Sequence, residues 1–424
     1  MANLNLLGGM NLVESPYIKV QIGGYTFGAL SKTEVNQDYV NYEIQYPNYI
    51  QNLQVQKING QVNKYTLELS YPVPEGEDPN FFDKVFSSVS KTRKIVFSYG
   101  DMTMPSFIYK DEEAIITKIT QNINVLTSVI TYQVYAVSNA FLSNMGAYDF
   151  PEQYEKPSKV IEDIMWGTNY YGLTEVFTGM RDKELVMSKG LIPQDDAKVQ
   201  INAKTNVSPL EYLSYLVSCM RPWGTDPDNI QQGSVYVLNI VDTPTQISNT
   251  DTTGNFIFDG SYFKITKNDR YSDAFDTYSV DIGFPSQNIV TNFSIDQNEN
   301  YALLYDFQGK INQSKYVNWI GDDGKEIQVY APVVSSKNDN YRTQEDDKNW
   351  WTKVTEYPIK VTLTLKGLLR PAILMSYVRL NTYFWGQKFN AGCGLYIITQ
   401  QVDNIGLRGF NTTLSLTRVG GDNS

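Results

Sequence analysis

The chain has 424 residues, 42% hydrophobic and 13% aromatic with 31 tyrosines, which excludes global disorder and supplies core for two or three domains, since single cores seldom outgrow about 250 to 300 residues. Its 35 basic and 46 acidic residues leave a net charge of -11, which excludes a basic surface that wraps nucleic acid. There is no histidine, so Ser-His-Asp and Cys-His nucleophile arrangements and HExxH metal sites are excluded, while a mechanism using two carboxylates is not.

In chain order, Tyr17 to Ile22 alternates as a strand ended by Gly23-Gly24, and Tyr39 to Tyr46 as another with a turn at Pro47-Asn48. Tyr65, Leu67, Leu69, Tyr71 and Val73 alternate with polar residues, and Pro72, Pro74 and Gly76 mark the end of that strand. Asp78 and Pro79 then read as N-cap and first helical residue, with Phe82, Val85, Phe86 and Val89 on one face. Ile95 to Tyr99, stopped by Gly100-Asp101, is a further strand, and Phe107 to Tyr109, Ala114 to Ile119 and Val125 to Val137 supply three more. The expected unit is a mainly antiparallel barrel or sandwich carrying one helix.

Alternation fades between Asn139 and Pro157, which sets a boundary near residue 150. Beyond it, Val160, Ile161, Ile164 and Met165 form a helical stripe closed by Gly167. Ser208-Pro209-Leu210-Glu211 spells an N-cap, an N1 proline and a capping-box glutamate ahead of Leu213, Leu216, Val217 and Met220. With a strand over Ser234 to Val241, this is a small α+β domain. From Gly254 onward strands recur at short intervals: Phe256 to Phe258, Tyr262 to Ile265, Tyr278 to Ile282, Ile289 to Ile295 and Ile327 to Tyr330. Val361 to Leu365, Tyr377 to Trp385, Leu395 to Gln400 and Thr412 to Thr417 complete a second all-β body. The expected domains are residues 1-150, 151-250 and 251-424.

Cys219 and Cys393 have no metal-like spacing and are expected as buried free thiols. Asp195-Asp196, Asp322-Asp323 and Asp346-Asp347 lack the run of ligand spacings that a hard cation needs and read as solvated loops, Gly321 to Gly324 as a hairpin turn. Gly8-Gly9 and Gly23-Gly24 are turns, not phosphate cradles. In Asn349-Trp350-Trp351, adjacent rings on a strand point opposite ways, so Trp350 or Trp351 is a candidate interface residue, against ordinary barrel packing. Met1 to Asn5 has no basic region before an apolar core, and no apolar run is long enough to cross a bilayer. A soluble protein made in a cytoplasm is expected.

The layout Tyr46-Pro47-Asn48, Val62 to Leu67, the capped helix from Asp78 and the strand ending Phe97-Ser98-Tyr99-Gly100-Asp101 resembles the baseplate hub, or tail-hub, proteins of tailed bacteriophages. These are similar to the N-terminal half of type VI secretion spike proteins. Gly394 to Ile398 followed by Gly409 to Arg418 resembles their closing hairpin, and Ser208 to Met220 the helix of their intervening domain. The resemblance implies a mainly β fold (α+β): two tube-protein-like antiparallel β barrels with smaller α+β elements between and after them.

It also implies a structural virion protein of the tail or baseplate, assembled in the host cytoplasm, not an enzyme, with no catalytic residue, metal or cofactor. The expected form is a homotrimer that joins the six-fold tail tube to the three-fold tip and leaves a channel for DNA, which passes without specific binding. Tail tube protein, tip or spike and other baseplate proteins are the expected partners, with no membrane insertion. The alternatives are a tail-associated carbohydrate-active enzyme using paired carboxylates, or a carbohydrate- or receptor-binding tail module.

Overall fold

A computed structural model of the chain describes residues 16-30, 46-47, 49-73, 78-88, 93-101, 109-144, 146-166, 192-196, 198-220, 235-242, 245-248, 255-258, 262-268, 276-282, 289-297, 316-320, 326-330, 359-368, 374, 377-388, 392-406 and 409-420. The fold is mainly β. The first body contains β1 (Pro16–Ile22), β2 (Tyr25–Leu30), β3 (Tyr46–Pro47), β4 (Ile50–Ile58), β5 (Lys64–Pro72), β6 (Lys94–Asp101), β7 (Tyr109–Asn124) and β8 (Val129–Ser138), with helix α1 (Phe81–Ser88) packed on it. A middle region holds β9 (Tyr148–Phe150), β10 (Gln153–Glu155), α2 (Pro157–Trp166), β11 (Val199–Ile201), β12 (Lys204–Val207), α3 (Pro209–Cys219), β13 (Val235–Val241), β14 (Thr245–Ser248), β15 (Asn255–Phe258) and β16 (Tyr262–Asn268). The remaining strands are β17 (Asp276–Ile282), β18 (Val290–Gln297), β19 (Tyr316–Ile320), β20 (Glu326–Tyr330), β21 (Ile359–Lys366), β22 (Tyr377–Phe384), β23 (Gln387–Lys388), β24 (Gly394–Gly406) and β25 (Gly409–Gly420).

One sheet runs through both β bodies in the order β18-β21-β25-β24-β4-β5-β8-β7-β6-β1-β2-β3. Its first half curls until β2 lies beside β4, as in a barrel. Pairing is antiparallel except for β2 with β3 and β17 with β22, which are parallel. The two bodies meet where β4 pairs β24, from Gln400 opposite Ile58 to Gly406 opposite Asn52. Only glycine fits at the end of this seam, because a Cβ on Gly406 would lie 2.5 Å from the Gln51 carbonyl oxygen.

Three apolar clusters follow from the alternation. Tyr65, Leu67, Leu69 and Tyr71 of β5 are buried as expected, and Phe82 and Val85 of α1 are completely buried against them. Phe82 stacks on Phe27 at 5.5 Å and meets Tyr132 at 4.8 Å, while Phe86 is partly buried at the margin. In the middle region Ser208 caps α3 with the reciprocal bond to Glu211, and Leu213, Leu216, Val217 and Met220 are buried. The third cluster joins β17, β18, β21, β22, β24 and β25. Cys219 and Cys393 are buried thiols outside any disulfide.

The structure corrects several expectations. Strand β4 was not expected, because the register shift between Ile50 and Asn52 breaks its period and places buried residues at positions 50, 53 and 55. Gly100 and Asp101 continue β6, pairing with Tyr17 and Pro16, instead of stopping it. Pro47 lies in β3, where a turn was expected. The acidic run Asp111-Glu112-Glu113 belongs to β7, which is continuous from Tyr109 to Asn124 because Asp111 takes a left-handed turn (φ 53°) and Glu112 is buried with partners. Helix α1 begins at Phe81, with Asp78 Oδ1 accepting the Asn80 N–H at 2.9 Å one turn earlier.

Of Asp195-Asp196, Asp195 is exposed as expected but Asp196 is not solvated. Asp196 is fully buried and accepts the Ser158 N–H (2.8 Å) and Oγ–H (2.5 Å) at the start of α2, while Asp195 accepts Tyr236 Oη–H at 2.9 Å. Residues 321-324, Asp322-Asp323 and Asp346-Asp347 lie outside the described residues, although β19 and β20 on either side of the first pair antiparallel.

Phe82→Ala removes the centre of the aromatic cluster and is expected to cost about 3 to 5 kcal/mol in denaturant unfolding; a loss below about 1 kcal/mol would show that this face is not packed. Gly406→Ala is expected to cost about 1 to 3 kcal/mol through the clash at the seam, by the same measurement.

Candidate assembly surface and buried polar junction

Strand β7 outgrows its neighbour β6, while β8 is paired by β5 from Val129 to Val137. β6 accompanies β7 only from Tyr109 to Ile115, with one more bond from the Ile116 N–H to the Arg93 carbonyl at 2.7 Å. From there β7 continues to Asn124, paired with β8 on one edge and with no strand on the other among the described residues. Every residue from Thr117 to Ser128 is exposed.

The apolar face of this extension is continuous with the core. Ile119, Gln121 and Ile123 stand opposite Val134, Tyr132 and Ile130, which are buried. Ile119 and Ile123 are 39% and 59% exposed, and Val125 and Leu126 at the tip reach 84% and 97%. Asn124 Oδ1 holds the turn by accepting the N–H groups of Leu126 and Thr127 at 3.1 and 3.3 Å. Lys118 is the one charged residue between positions 117 and 128. A turn with an exposed Val-Leu pair, and a bare strand edge with almost no charge, is surface built for contact.

A second exposed tip joins β22 to β23. Phe384 and Trp385 are 49% and 64% exposed, and Trp385 (φ 53°) precedes Gly386 (φ 76°) in a turn with two left-handed residues, a conformation that costs an aromatic residue strain. Trp350 and Trp351, the expected interface pair, lie outside the described residues.

Beneath the seam lies a cluster of buried charge drawn from all three regions. Glu112 of β7 accepts Lys57 Nζ–H on Oε1 at 2.9 Å, and Tyr65 and Tyr99 Oη–H on Oε2 at 3.0 and 3.1 Å. Asp242, just after β13, accepts Asn63 Nδ2–H at 2.7 Å and Ser138 Oγ–H at 2.5 Å, and its Oδ2 lies 2.8 Å from Tyr65 Oη. Asp403 of β24 accepts from Thr412 Oγ1 at 2.6 Å and from Gln401 Nε2 at 2.8 Å. Lys57 sits over the Tyr109 ring at 5.3 Å.

Burial works against the Lys57 ammonium, but Glu112, with Asp403 and Asp242 behind it, outweighs that and raises its pKa above the ordinary value. Burial, reinforced by the carboxylates, pushes the Tyr65 and Tyr99 hydroxyls well up. Burial also raises Asp403 to about 6, against the lowering effect of Thr412, Gln401 and Lys57. Glu112 and Asp242 are 2% exposed and Asp403 is 1% exposed, so no substrate reaches this carboxylate group. The described residues contain no cluster suited to a metal ion and no helix long and apolar enough to cross a membrane.

The sequence reading missed both sites. Their signals were present: an apolar pair inside a turn at Val125-Leu126, and isolated charges such as Lys57 and Asp403 set into strand-like stretches.

No protein-family model matches the chain, and no curated protein matches it in sequence. Among solved structures it is similar to a 43 kDa tail protein of prophage MuSo2 from Shewanella oneidensis, with 10% identity over 96% of this chain and 99% of that one and a TM-score of 0.47. A tail protein from Neisseria meningitidis MC58 matches with 10% identity over 96% and 97% of the two chains (TM-score 0.48). The E. coli c3393 protein, a type VI secretion component with structural similarity to T4 bacteriophage tail proteins gp27 and gp5, matches with 7% identity over 88% and 75% (TM-score 0.42). At such identities no residue role carries over, so the functional reading rests on this chain's own surface.

Asp403 gives a pH-dependent test of the junction. Its folded pKa of about 6 lies above the ordinary aspartate value of 3.8, so its contribution to stability is full below about pH 4 and is lost as the pH rises through about 6. Asp403→Asn is expected to remove a slope on the order of 2 to 3 kcal/mol between those limits, seen as a wild-type minus variant difference in denaturant unfolding. Parallel pH profiles of the two proteins would refute this.

Proposed function

We propose that the chain is a structural component of a phage-type tail, and that three copies form a hub joining the six-fold tail tube to the three-fold tip. The observation that carries this reading is the pair of β bodies joined edge to edge in one sheet. Three such chains around an axis present six β bodies to a six-fold neighbour while keeping three-fold symmetry for the tip. The exposed extension of β7 and the Val125-Leu126 tip supply apolar surface for contact between copies or with the tube.

In this reading the bore is acidic or neutral, in keeping with the net charge of -11, so DNA passes without being held. Tail tube, tip or spike and other baseplate proteins are the partners, the virion tail is the location, and the chain does no chemistry. Trp350 and Trp351 are proposed as interface residues in the same assembly. The paired-carboxylate alternative gains nothing from Glu112, Asp242 and Asp403, which are sealed from substrate.

Light scattering over a range of concentrations, with electron microscopy of the assembled particle, tests the reading. A three-fold ring without a Lys/Arg-lined bore is expected, with interfaces above about 1,000 Å². Val125→Asp with Leu126→Asp is expected to raise the concentration needed for assembly at least about tenfold while leaving circular dichroism unchanged, since both side chains are exposed. A chain that stays monomeric in the particle, or two β bodies that do not superpose, would overturn the hub.

A further inference from the structure

The two β bodies share one strand pattern, down to its irregularities. Followed from β7, the sheet runs β7-β8-β5-β4 and then β24-β25-β21-β18, each strand antiparallel to the next. β7 shifts register against β8 between Ile116 and Lys118, as β24 does against β25 between Ile398 and Gln400. β4 shifts against β5 between Ile50 and Asn52, as β18 does against β21 between Val290 and Asn292. Between these marks Tyr65, Leu67 and Leu69 of β5 correspond to Val361, Leu363 and Leu365 of β21, and all are buried.

The correspondence leaves one edge of each body unequal. Along β24, β22 covers Gly394 to Ile397 and β4 then covers Gln400 to Gly406. Along β7, β6 covers Tyr109 to Ile115, but Lys118 to Asn124, the counterpart of Gln400 to Gly406, has no strand on that edge among the described residues. At the far end of the sheet β18, the counterpart of β4, is paired on one edge by β21, with no strand on the other among the described residues.

We infer that β18 of one copy of this chain pairs antiparallel with the β7 extension of the next copy, in the register that β4 and β24 use within the chain. That register sets Gln297 opposite Ile119, Ile295 opposite Gln121, Phe293 opposite Ile123 and Asn292 opposite Asn124. The chemistry of the two edges agrees with it. On the core side Phe293 and Ile295 are only partly buried at the rim of the third apolar cluster, and Ile119 and Ile123 are exposed, so pairing brings these four together. On the outer side Ser294 meets Asn122, as Gln54 meets Asn404 across the seam. Lys118 is the one charged residue from 118 to 124 and Asp296 the one from 290 to 297, and they fall on one diagonal with opposite sign. Each copy offers two different edges, so the contact is head-to-tail and closes as a ring. The pairing rests on the ring proposed above and names the strands that close it.

Ser294→Cys with Asn122→Cys in the full-length chain tests it, both positions being exposed in the single copy. Oxidation of the assembled protein is expected to give reducible covalent dimers and trimers. Their formation should be at least about tenfold faster than with Ser294→Cys and Thr120→Cys, because directly opposite Cβ atoms come within disulfide reach and diagonal ones do not. The wild type, whose Cys219 and Cys393 are buried, should give no such products. If light scattering shows the ring but the matched pair does not cross-link faster than the offset pair, the pairing is overturned and the hub stands. A chain that is monomeric at every concentration removes the hub and the pairing with it. Hydrogen exchange of the wild type needs no variant: segments 118-124 and 290-297 are expected to exchange at least about tenfold more slowly in the ring than below the assembly concentration. Unchanged exchange in either segment on ring formation equally overturns the pairing.

Discussion

The antiparallel pairing of β4 with β24 is the constraint on which the rest of the structure depends. It joins segments far apart in the chain, as the bond from Gln54 Nε2 to Asn404 Oδ1 (3.0 Å, 350 residues apart) illustrates. Without it the first β body would end on a bare β4 and the C-terminal strands on a bare β24, each with a row of unmet backbone donors and acceptors. The bare hydrogen at Gly406 lets the two backbones approach closely enough to make the ladder. Closing so long a loop is costly in chain entropy, so the seam forms only with the two cores it brings together.

Under that seam the protein buries charge where apolar side chains would pack more cheaply. Lys57, Glu112, Asp242 and Asp403 come from β4, β7, the end of β13 and β24; Glu112 and Asp403 find their hydrogen-bond donors within their own β bodies, while Asp242 takes those of Asn63 and Ser138 from the first body and so ties the middle region to it. A buried polar network of this kind penalises wrong arrangements more than it stabilises the right one, because any shift leaves a charged group unmet. Its place at the meeting of three regions fits a device that fixes how they dock.

The exposed extension of β7 is the opposite case. Sheet proteins ordinarily blunt their edges with charge, proline or a covering element, yet Thr117 to Ser128 carries one lysine and four exposed large apolar residues. A register shift between Ile116 and Lys118 moves the core side of β7 from Ala114 and Ile116 to Ile119, Gln121 and Ile123, which carry it out into solvent.

The sequence by itself determined the local elements. Alternation at Tyr65 to Tyr71, the helical face at Phe82 and Val85, and the Ser208 to Glu211 cap are set by neighbouring residues, and the absence of histidine limits chemistry whatever the fold. Only tertiary structure decided the rest. The irregular period of β4 gains meaning from a bulge against β5, and the acids at Asp111 to Glu113 join a strand because distant partners meet them. Asp196 became a helix cap through a loop that returns to Ser158. Which strands pair, and whether a carboxylate is solvated or buried, depends on contacts made across hundreds of residues, and no local window of sequence contains that information.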